Sequence, residues 1–305
     1  MCCLFGIMDC NNSLSIGKRV RILNVLARAC EDRGKDATGI AYHDGQRLCI
    51  YKRPLPAHKM HFHLPPKANV IMGHTRMTTQ GDERFNQNNH PFLGCAGGER
   101  FALAHNGVLR NDRELKRTHN LPSTSIETDS YAAVQLIEKL GELTPDSLAL
   151  MAEAVEGSFT FTVMDSHRGI YIVKGNNPLC LYHWKDLGLY IYASTSAILK
   201  KALAQIPFLP TNAESVPIEM GDILHITADG KRAYSRFNCE HLLWAEYSSM
   251  YSYPEIPYTA ADTSYAAALR SVAYLFGFSP KEVDRMLADG MSPEEIEEMY
   301  YCGAW

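Results

Sequence analysis

The chain has 305 residues, of which 46% are hydrophobic, and its formal net charge is −4 with both signs interspersed. This composition is typical of a folded protein with a sizeable core, and it argues against a basic surface for nucleic acid or for a membrane. Apolar runs are short, so we expect neither a transmembrane helix nor a signal peptide, and we predict a cytoplasmic protein. The nine cysteines are scattered without a CxxC pair, which predicts reduced thiols and no zinc site or disulfide framework.

The predicted elements alternate between strands and helices over the first two thirds of the chain. Hydrophobic alternation and turn residues predict strands at 3–8, 38–43, 47–53, 69–76, 101–106, 158–165, 169–174, 179–184, 187–193, 221–227 and 232–237. Asp44-Gly45 is predicted to join the second and third of these as a hairpin. Helices are predicted at 16–30, from a cap at Thr128 to Leu140, from Pro145, and from about residue 196.

The pattern changes near residue 240, and we predict three regions: a domain at 2–240, a Tyr-rich strap or linker at 241–265, and a short helical tail at 266–305. Two near-repeats in the tail each place Ser at a helix cap, Pro at the first helical position and Glu three residues after the Ser. They begin at Ser279 and Ser292. We therefore predict two short helices that serve packing or docking, and expect a chain ending near Cys239 to fold.

The second residue is a cysteine. If Met1 is removed, Cys2 carries a thiol and a free α-amine on one carbon skeleton. An α-amine has a pKa of about 8 and can act as a base near neutral pH. A thiol with its own base is a catalytic nucleophile, although an early Cys alone is a weak signal.

Polar clusters follow several predicted strands and helices, each with a structural and a functional interpretation. Arg33-Gly34-Lys35-Asp36 suits a helix end, and Asn88 to Phe92 suits a polar loop. Arg76 ends a strand and suits a carboxylate ligand, or only a structural acid. Asn106-Gly107 suits a tight turn, or an amide and a backbone N–H aimed at one oxyanion. Asp129 suits a helix cap, or a partner for a substrate ammonium.

Taken together, the clusters resemble the class II glutamine amidotransferases, a family of N-terminal-nucleophile hydrolases. The ordered pattern is Cys2, Arg33-Gly34-x-Asp36, His74-x-Arg76, His90-Pro91, His105-Asn106-Gly107, Glu127-Thr128-Asp129 and Gly157-Ser158-Phe159. The resemblance covers roughly residues 2–230. It implies an α+β fold, a four-layer α/β/β/α sandwich, to which the small helical C-terminal tail is added. Cys3 stands where the family usually has Gly, and Gln80 where some members have His.

The resemblance also implies a reaction and a site. Cys2 would attack the side-chain amide of glutamine and form a γ-glutamyl thioester, with Asn106 and Gly107 holding the oxyanion. Arg76 would hold the substrate carboxylate and Asp129 its ammonium, while Thr79 and His90 would line the pocket. Arg33 and Asp36 would support the nucleophile. No metal or organic cofactor is expected.

Several alternatives stay open from sequence. The chain is compatible with an N-terminal-cysteine acylase for another amide, or with a non-catalytic module that senses glutamine. A metal site at His58, His61 and His63 is the weakest idea, because no carboxylate or Cys lies near them in sequence. We find no recognisable synthase half, so we predict a stand-alone module that supplies ammonia to a separate synthase. The sequence specifies neither the acceptor nor the oligomeric state.

Overall fold

A computed structural model describes residues 2–242, 269–270, 273, 278–291, 295–296 and 299. The chain divides into two compact units, Met1–Glu246 and Tyr247–Trp305. Most of the predicted strap at 241–265 lies outside the described residues.

Strands dominate the first unit, and they form two antiparallel sheets. In chain order they are β1 (Cys3–Asp9), β2 (Ala37–His43), β3 (Leu48–Arg53), β4 (Val70–Arg76), β5 (Phe92–Ala96), β6 (Glu99–Leu109), β7 (Gly157–Met164), β8 (Ile170–Val173), β9 (Cys180–Trp184), β10 (Leu189–Ala193), β11 (Glu214–Ser215), β12 (Asp222–Ile226) and β13 (Arg232–Arg236). One sheet has the order β11-β9-β10-β1-β4-β2-β3, and the other β13-β12-β8-β7-β6-β5.

Helices cover the outer face of each sheet. In chain order those of the first unit are α1 (Ile16–Cys30), α2 (Asp112–Thr118), α3 (Tyr131–Leu140), α4 (Pro145–Ala154) and α5 (Ser196–Leu203). The side chain of Ser15 caps α1 by accepting a hydrogen bond from the Lys18 amide. A reciprocal capping box between Thr144 and Ser147 begins α4.

Side-chain alternation along the strands separates three buried apolar layers. In β1, Leu4 and Met8 belong to the layer between the two sheets, whereas Phe5 and Ile7 belong to the layer under α1 and α5. The outer face of the second sheet packs against α3 and α4 in a third layer. Because successive strand residues point to opposite faces, each sheet buries both of its sides. The four-layer α/β/β/α prediction is confirmed.

Two local predictions differ from the structure, and three short elements, α2, β5 and β11, were not predicted. The strand predicted to end at Asn106 continues to Leu109, because Gly107, Val108 and Leu109 pair with the start of β7. The strand β5 was not predicted, because it is a short edge strand that follows a polar loop. Thr128 does not cap α3: Ser130 is the N-cap residue, and the buried Thr128 hydroxyl has no hydrogen-bond partner among the described residues.

The described residues of the second unit include the helix α6 (Pro280–Ala288). Ser279 and Glu282 form the predicted capping box at its start. Val283 is buried in an apolar cluster together with Leu269, Ala273 and Ile296. The predicted second cap, at Ser292, lies outside the described residues.

The helices in the described part of the chain are too short or too polar to cross a membrane. None of them has the length and apolar character needed to span a bilayer.

Candidate active site

Two of the predicted site residues, Arg76 and Asn106, lie on strand faces that border the layer between the two sheets. Arg76 ends β4 on the same face as Val70 and Met72, which lie in the inter-sheet layer. Asn106 lies in β6 on the face of Ala102 and Ala104 of the same layer. Since side chains two apart share a face, the guanidinium and the amide both project into the layer between the sheets, from opposite sides.

Cys2 lies immediately before β1, next to this region. The residue is 9% exposed, and its Sγ donates a hydrogen bond to the Met77 carbonyl at 3.5 Å. Burial raises the pKa of the thiol, while the Met77 contact and the charge of Arg76 act in the opposite direction. The buried thiol is therefore protonated near neutral pH, and a base is needed to make it a strong nucleophile.

Arg76 is held in one orientation by three oxygen atoms. Its Nη1 donates to Asn89 Oδ1 at 2.7 Å, and its Nη2 donates to the carbonyls of Gln80 at 2.6 Å and Gly81 at 3.0 Å. The residue is only 3% exposed. All three acceptors are neutral, so the guanidinium is oriented without an ion-pair partner among the described residues, and the carboxylates of Asp36, Glu83 and Asp129 act on it only at longer range.

Asp129 is also held in one orientation, by two neutral hydrogen-bond donors. Its Oδ2 accepts from the Leu109 amide at 2.6 Å, and its Oδ1 accepts from the Ser130 hydroxyl at 3.2 Å. Neither Arg76 nor Asp129 forms an ion pair with another described residue. Both charges nevertheless act on the Cys2 thiol, where Arg76 lowers and Asp129 raises the pKa.

Asn106 has a buried side-chain amide without a partner. Neither Nδ2 nor Oδ1 forms a hydrogen bond within the described residues, although its backbone carbonyl accepts from Asn177 Nδ2 at 2.8 Å. Buried amides in folded proteins are normally satisfied, so an unpartnered one is suited to a ligand. The next residue, Gly107, has a φ of +144°, and a Cβ there would lie 1.9 Å from the Ser158 carbonyl oxygen.

The predicted supporting residues contact the backbone around Cys2 and Arg76. Arg33 Nε donates to the Cys2 carbonyl at 3.2 Å. Asp36 Oδ2 accepts from the Thr78 amide at 2.6 Å, and the Asp36 amide donates to the Arg76 carbonyl at 3.0 Å. These contacts fix the chain on both sides of the guanidinium and do not involve a reacting atom.

Thr79 and His90 differ from the other predicted residues. Thr79 is exposed on the loop after β4. His90 is 4% exposed and is packed between His74 and Phe92, with ring centroids 4.2 Å and 4.4 Å away. Burial and the neighbouring positive groups hold the pKa of His90 well below its usual range, so the ring is neutral.

The histidines of the weak metal hypothesis do not form a cluster. His58 Nδ1 lies 2.7 Å from Glu31 Oε1, and His61 and His63 are exposed. Among the described residues, no group of three His, Cys, Asp or Glu side chains is arranged to hold a metal ion.

Of three residues with contacts near the site, Asn177 and Lys52 were not singled out from sequence, and Asn89 was noted only as part of a polar loop. Asn89 orients Arg76, Asn177 holds the Asn106 backbone, and Lys52 donates to carbonyls of the Asn89–Pro91 segment. The one local signal was the polar Asn88-Asn89 pair, which also suits a solvated loop. The other two contacts join segments far apart in sequence and leave no local pattern.

Comparison with known proteins identifies the family. The family model for class-II glutamine amidotransferases matches residues 1–160, more than half of the 305-residue chain. The chain therefore belongs to the class-II glutamine amidotransferase family.

Two curated relatives are similar to parts of the chain. A glutamine–fructose-6-phosphate aminotransferase (isomerizing) of Staphylococcus epidermidis is 34% identical over 158 residues, covering 49% of this chain and 26% of the relative. A 7-cyano-7-deazaguanine synthase of Sulfolobus acidocaldarius is 29% identical over 206 residues, covering 64% of this chain and 43% of the relative. The chain thus spans less than half the length of either protein.

A solved structure supports the fold. Glutamine phosphoribosylpyrophosphate amidotransferase from B. subtilis, complexed with ADP and GMP, superimposes with a TM-score of 0.63 at 21% identity. The match covers 77% of this chain and 49% of that chain. At this identity the likeness concerns the fold alone, which is the antiparallel two-sheet sandwich described above.

Proposed function

We propose that this protein hydrolyses the side-chain amide of glutamine through a thioester on Cys2. The observation that carries the proposal is that two buried charges, Arg76 and Asp129, act on the thiol and have no ion-pair partner among the described residues. Arg76 and Asp129 are each oriented by neutral groups, and neither forms an ion pair with a described residue. Buried charges are costly unless paired. A zwitterionic α-amino acid would supply a carboxylate for Arg76 and an ammonium for Asp129.

The reaction divides into two steps. After removal of Met1, the α-amine of Cys2 accepts the thiol proton, directly or through water, while Sγ bonds to the amide carbon. Asn106 Nδ2 and the Gly107 N–H stabilise the tetrahedral oxyanion. The C–N bond then breaks, and the leaving nitrogen takes the proton and departs as ammonia.

Water completes the cycle. It attacks the γ-glutamyl thioester, the C–S bond breaks, and glutamate and the free thiol are formed. Arg33 and Asp36 hold the backbone of Cys2 and of the Arg76 segment in place during both steps. His90, which is buried and neutral, supports the pocket wall through its packing, and Thr79 lies at the rim.

The ammonia is proposed to pass to an acceptor bound by a separate synthase. The basis is that two similar proteins are named as an aminotransferase and a synthase, and the test asks whether the acceptor lies on a separate protein. Co-purification with the intact chain as bait would test for such a partner. Recovery of a stable synthase in complex supports the proposal, and release of all ammonia to solvent with every recovered protein contradicts it.

One assay with three substrates tests the hydrolysis. The purified protein should convert glutamine to equal amounts of glutamate and ammonia, and Cys2→Ala should not. Asparagine and 4-aminobutanamide, which is glutamine without its carboxylate, should react far more slowly. Equal rates on glutamine and 4-aminobutanamide would favour a general N-terminal-cysteine acylase. Glutamine binding without turnover would favour a sensing module.

A further inference from the structure

Lys52 is a partly buried lysine close to Arg76 that no step of the proposed reaction uses. It lies in β3 opposite Gly39 of β2. A Cβ on Gly39 would lie 2.1 Å from the His90 carbonyl oxygen and 2.7 Å from Lys52 Cβ. The absence of a side chain at Gly39 therefore lets the His90 backbone lie against β2, within reach of the Lys52 side chain.

The ammonium of Lys52 is bound by that backbone. Its Nζ donates to the carbonyls of Asn89 at 2.5 Å and Pro91 at 3.0 Å, and it lies 5.0 Å from the centroid of the Phe92 ring. The Lys52 carbonyl in turn accepts from Asn86 Nδ2 at 2.9 Å. Lys52 thus holds the 86–91 segment at three points and, among the described residues, has no acidic partner.

Asn89 extends this contact to the substrate site. Its Oδ1 accepts from Arg76 Nη1 at 2.7 Å, and its Nδ2 donates to the Glu83 carbonyl at 2.7 Å. The backbone of Asn89 is therefore fixed by Lys52 while its side chain fixes Arg76. Loss of the Lys52 ammonium would therefore free Asn89, which is one of the three groups that orient the Arg76 guanidinium.

The charges around Lys52 are all positive or neutral. Arg76 faces it from β4, and the buried His74 and His90 lie within electrostatic range. Burial, followed by the charge of Arg76, lowers the pKa of Lys52 to about 8. The carbonyls and the Phe92 ring that contact Lys52 are neutral, so its ammonium gains an oppositely charged partner only when an anion enters the neighbouring site.

We propose that Lys52 is a positioning and specificity residue: it fixes Asn89 and thereby Arg76, and it adds a second positive charge that favours the α-carboxylate of the substrate. The inference rests on the proposed function and deepens it, because it concerns recognition of the anionic end of glutamine.

The test compares Lys52→Met, Lys52→Arg and a control, Lys231→Met, whose side chain is exposed beside Asp229. Lys52→Met should raise KM for glutamine about tenfold or more, as loss of a charged hydrogen bond does, and leave kcat within about twofold. For 4-aminobutanamide, kcat/KM should not change. Lys52→Arg should keep most of the affinity, and Lys231→Met all of it. Equal losses on both substrates, or an unchanged KM for glutamine, would overturn the proposal.

The pH dependence provides a readout that a purely structural role would not move. As pH rises through the Lys52 pKa of about 8, the ammonium loses its proton. KM for glutamine should then rise in the wild type more steeply than in Lys52→Arg, whose charge persists, and Lys52→Met should show no such step. Identical pH profiles of KM in the wild type and Lys52→Arg would contradict the electrostatic part of the proposal.

Failure of the proposed function is distinguishable from failure of this inference. If the wild type does not hydrolyse glutamine, the proposed function fails, and calorimetric binding of L-glutamate then tests Lys52 without turnover. A higher Kd for Lys52→Met than for the wild type, with unchanged melting temperature, supports the inference. Equal Kd values, or no binding by either protein, overturn it.

Discussion

At the residue scale, the unpartnered amide of Asn106 is the feature that supports the proposed function most specifically. Both polar atoms of the side chain are buried without a hydrogen bond among the described residues. Such a group destabilises the fold unless a ligand or water satisfies it. Its position opposite Arg76, on the other sheet, fits a donor for charge that develops during the reaction.

Replacing Asn106 tests this role. Asn106→Ala should lower kcat for glutamine by about 100- to 1000-fold, the usual effect of removing one oxyanion donor. Folding should persist, because the side chain makes no hydrogen bond to a described residue that would be lost. Steady-state kinetics and a thermal melt measure the two effects. The exposed Asn212→Ala is the control and should behave as wild type, and near-normal turnover by Asn106→Ala would refute the assignment.

Arg76 gives a prediction about substrate choice. Arg76→Ala should reduce kcat/KM for glutamine by about 30-fold or more, because it leaves the substrate carboxylate without its counter-charge in a buried site. The same change should affect 4-aminobutanamide much less. Steady-state kinetics on both amides measure this difference. Equal losses of kcat/KM on both would show that Arg76 only supports the loop after β4.

The N-terminus gives a third prediction. The intact mass of active protein should lack Met1, because the proposed base is the α-amine of Cys2. A sample blocked from Met1 removal should retain its fold and lose its activity. Full activity with Met1 still attached would overturn the proposed base.

At the element scale, the sequence predicted those helices and hairpins whose ends are set by local turn and cap residues. Asp44-Gly45 predicted the β2–β3 hairpin because Gly45 adopts a φ of +101°, and Ser279-Pro280 predicted the start of α6 through its cap. The misassigned cap at Thr128 has the opposite cause. Tertiary packing of the Glu127–Ser130 segment, where Asp129 binds the Leu109 amide, overrides the local preference of a threonine for a cap.

Two glycines should respond in opposite ways to replacement by alanine. Gly39→Ala places a methyl group against the His90 carbonyl and should lower the free energy of unfolding by about 1–3 kcal/mol. Gly17 lies in α1, where an added methyl group would have no neighbouring atom within 4 Å, so Gly17→Ala should raise the free energy of unfolding by about 0.5–1 kcal/mol. Urea unfolding with a common m-value measures both. If Gly39→Ala were as stable as the wild type, the His90 carbonyl could move away from the added methyl group at little cost.

At the scale of the whole molecule, the order of the polar clusters along the chain predicted the fold more closely than the periodicity of hydrophobic residues did. Alternating strands and helices were compatible with several architectures, and the ordered clusters from Cys2 to Asp129 selected the two-sheet sandwich through family resemblance. The roles of Asn89, noted only as part of a polar loop, and of Asn177 and Lys52 were not predicted, because their contacts depend on how distant segments meet. Lys52 and Asn89, for example, are 37 residues apart in sequence and share no repeating pattern.

The two units give a prediction about the tail. The proposed catalytic groups all lie within Met1–Glu246, so a chain that ends at Glu246 should fold and hydrolyse glutamine. An end near Cys239, which we expected from sequence, is unsuitable because it removes Leu242, which is 0% exposed in the core.

A point substitution provides the gentler comparison. Val283→Asp should disrupt the apolar cluster of the second unit and leave the hydrolysis of glutamine unchanged. The exposed Lys281→Asp is the control and should change neither the cluster nor the hydrolysis. Hydrogen exchange and kinetics on the full chain separate these effects. A folded chain ending at Glu246 that lacks activity would place part of the tail at the active site.

Hydrolysis through Cys2 is tested most directly by trapping the acyl-enzyme. The protein is mixed with glutamine, quenched in acid while turnover continues, and the modified peptide is mapped by mass spectrometry. We predict a γ-glutamyl group on the Cys2 sulfur of a chain that begins at Cys2, and none on Cys3 or in Cys2→Ala. A glutamyl adduct on another residue, or rapid glutamine hydrolysis by Cys2→Ala, would contradict the proposed mechanism.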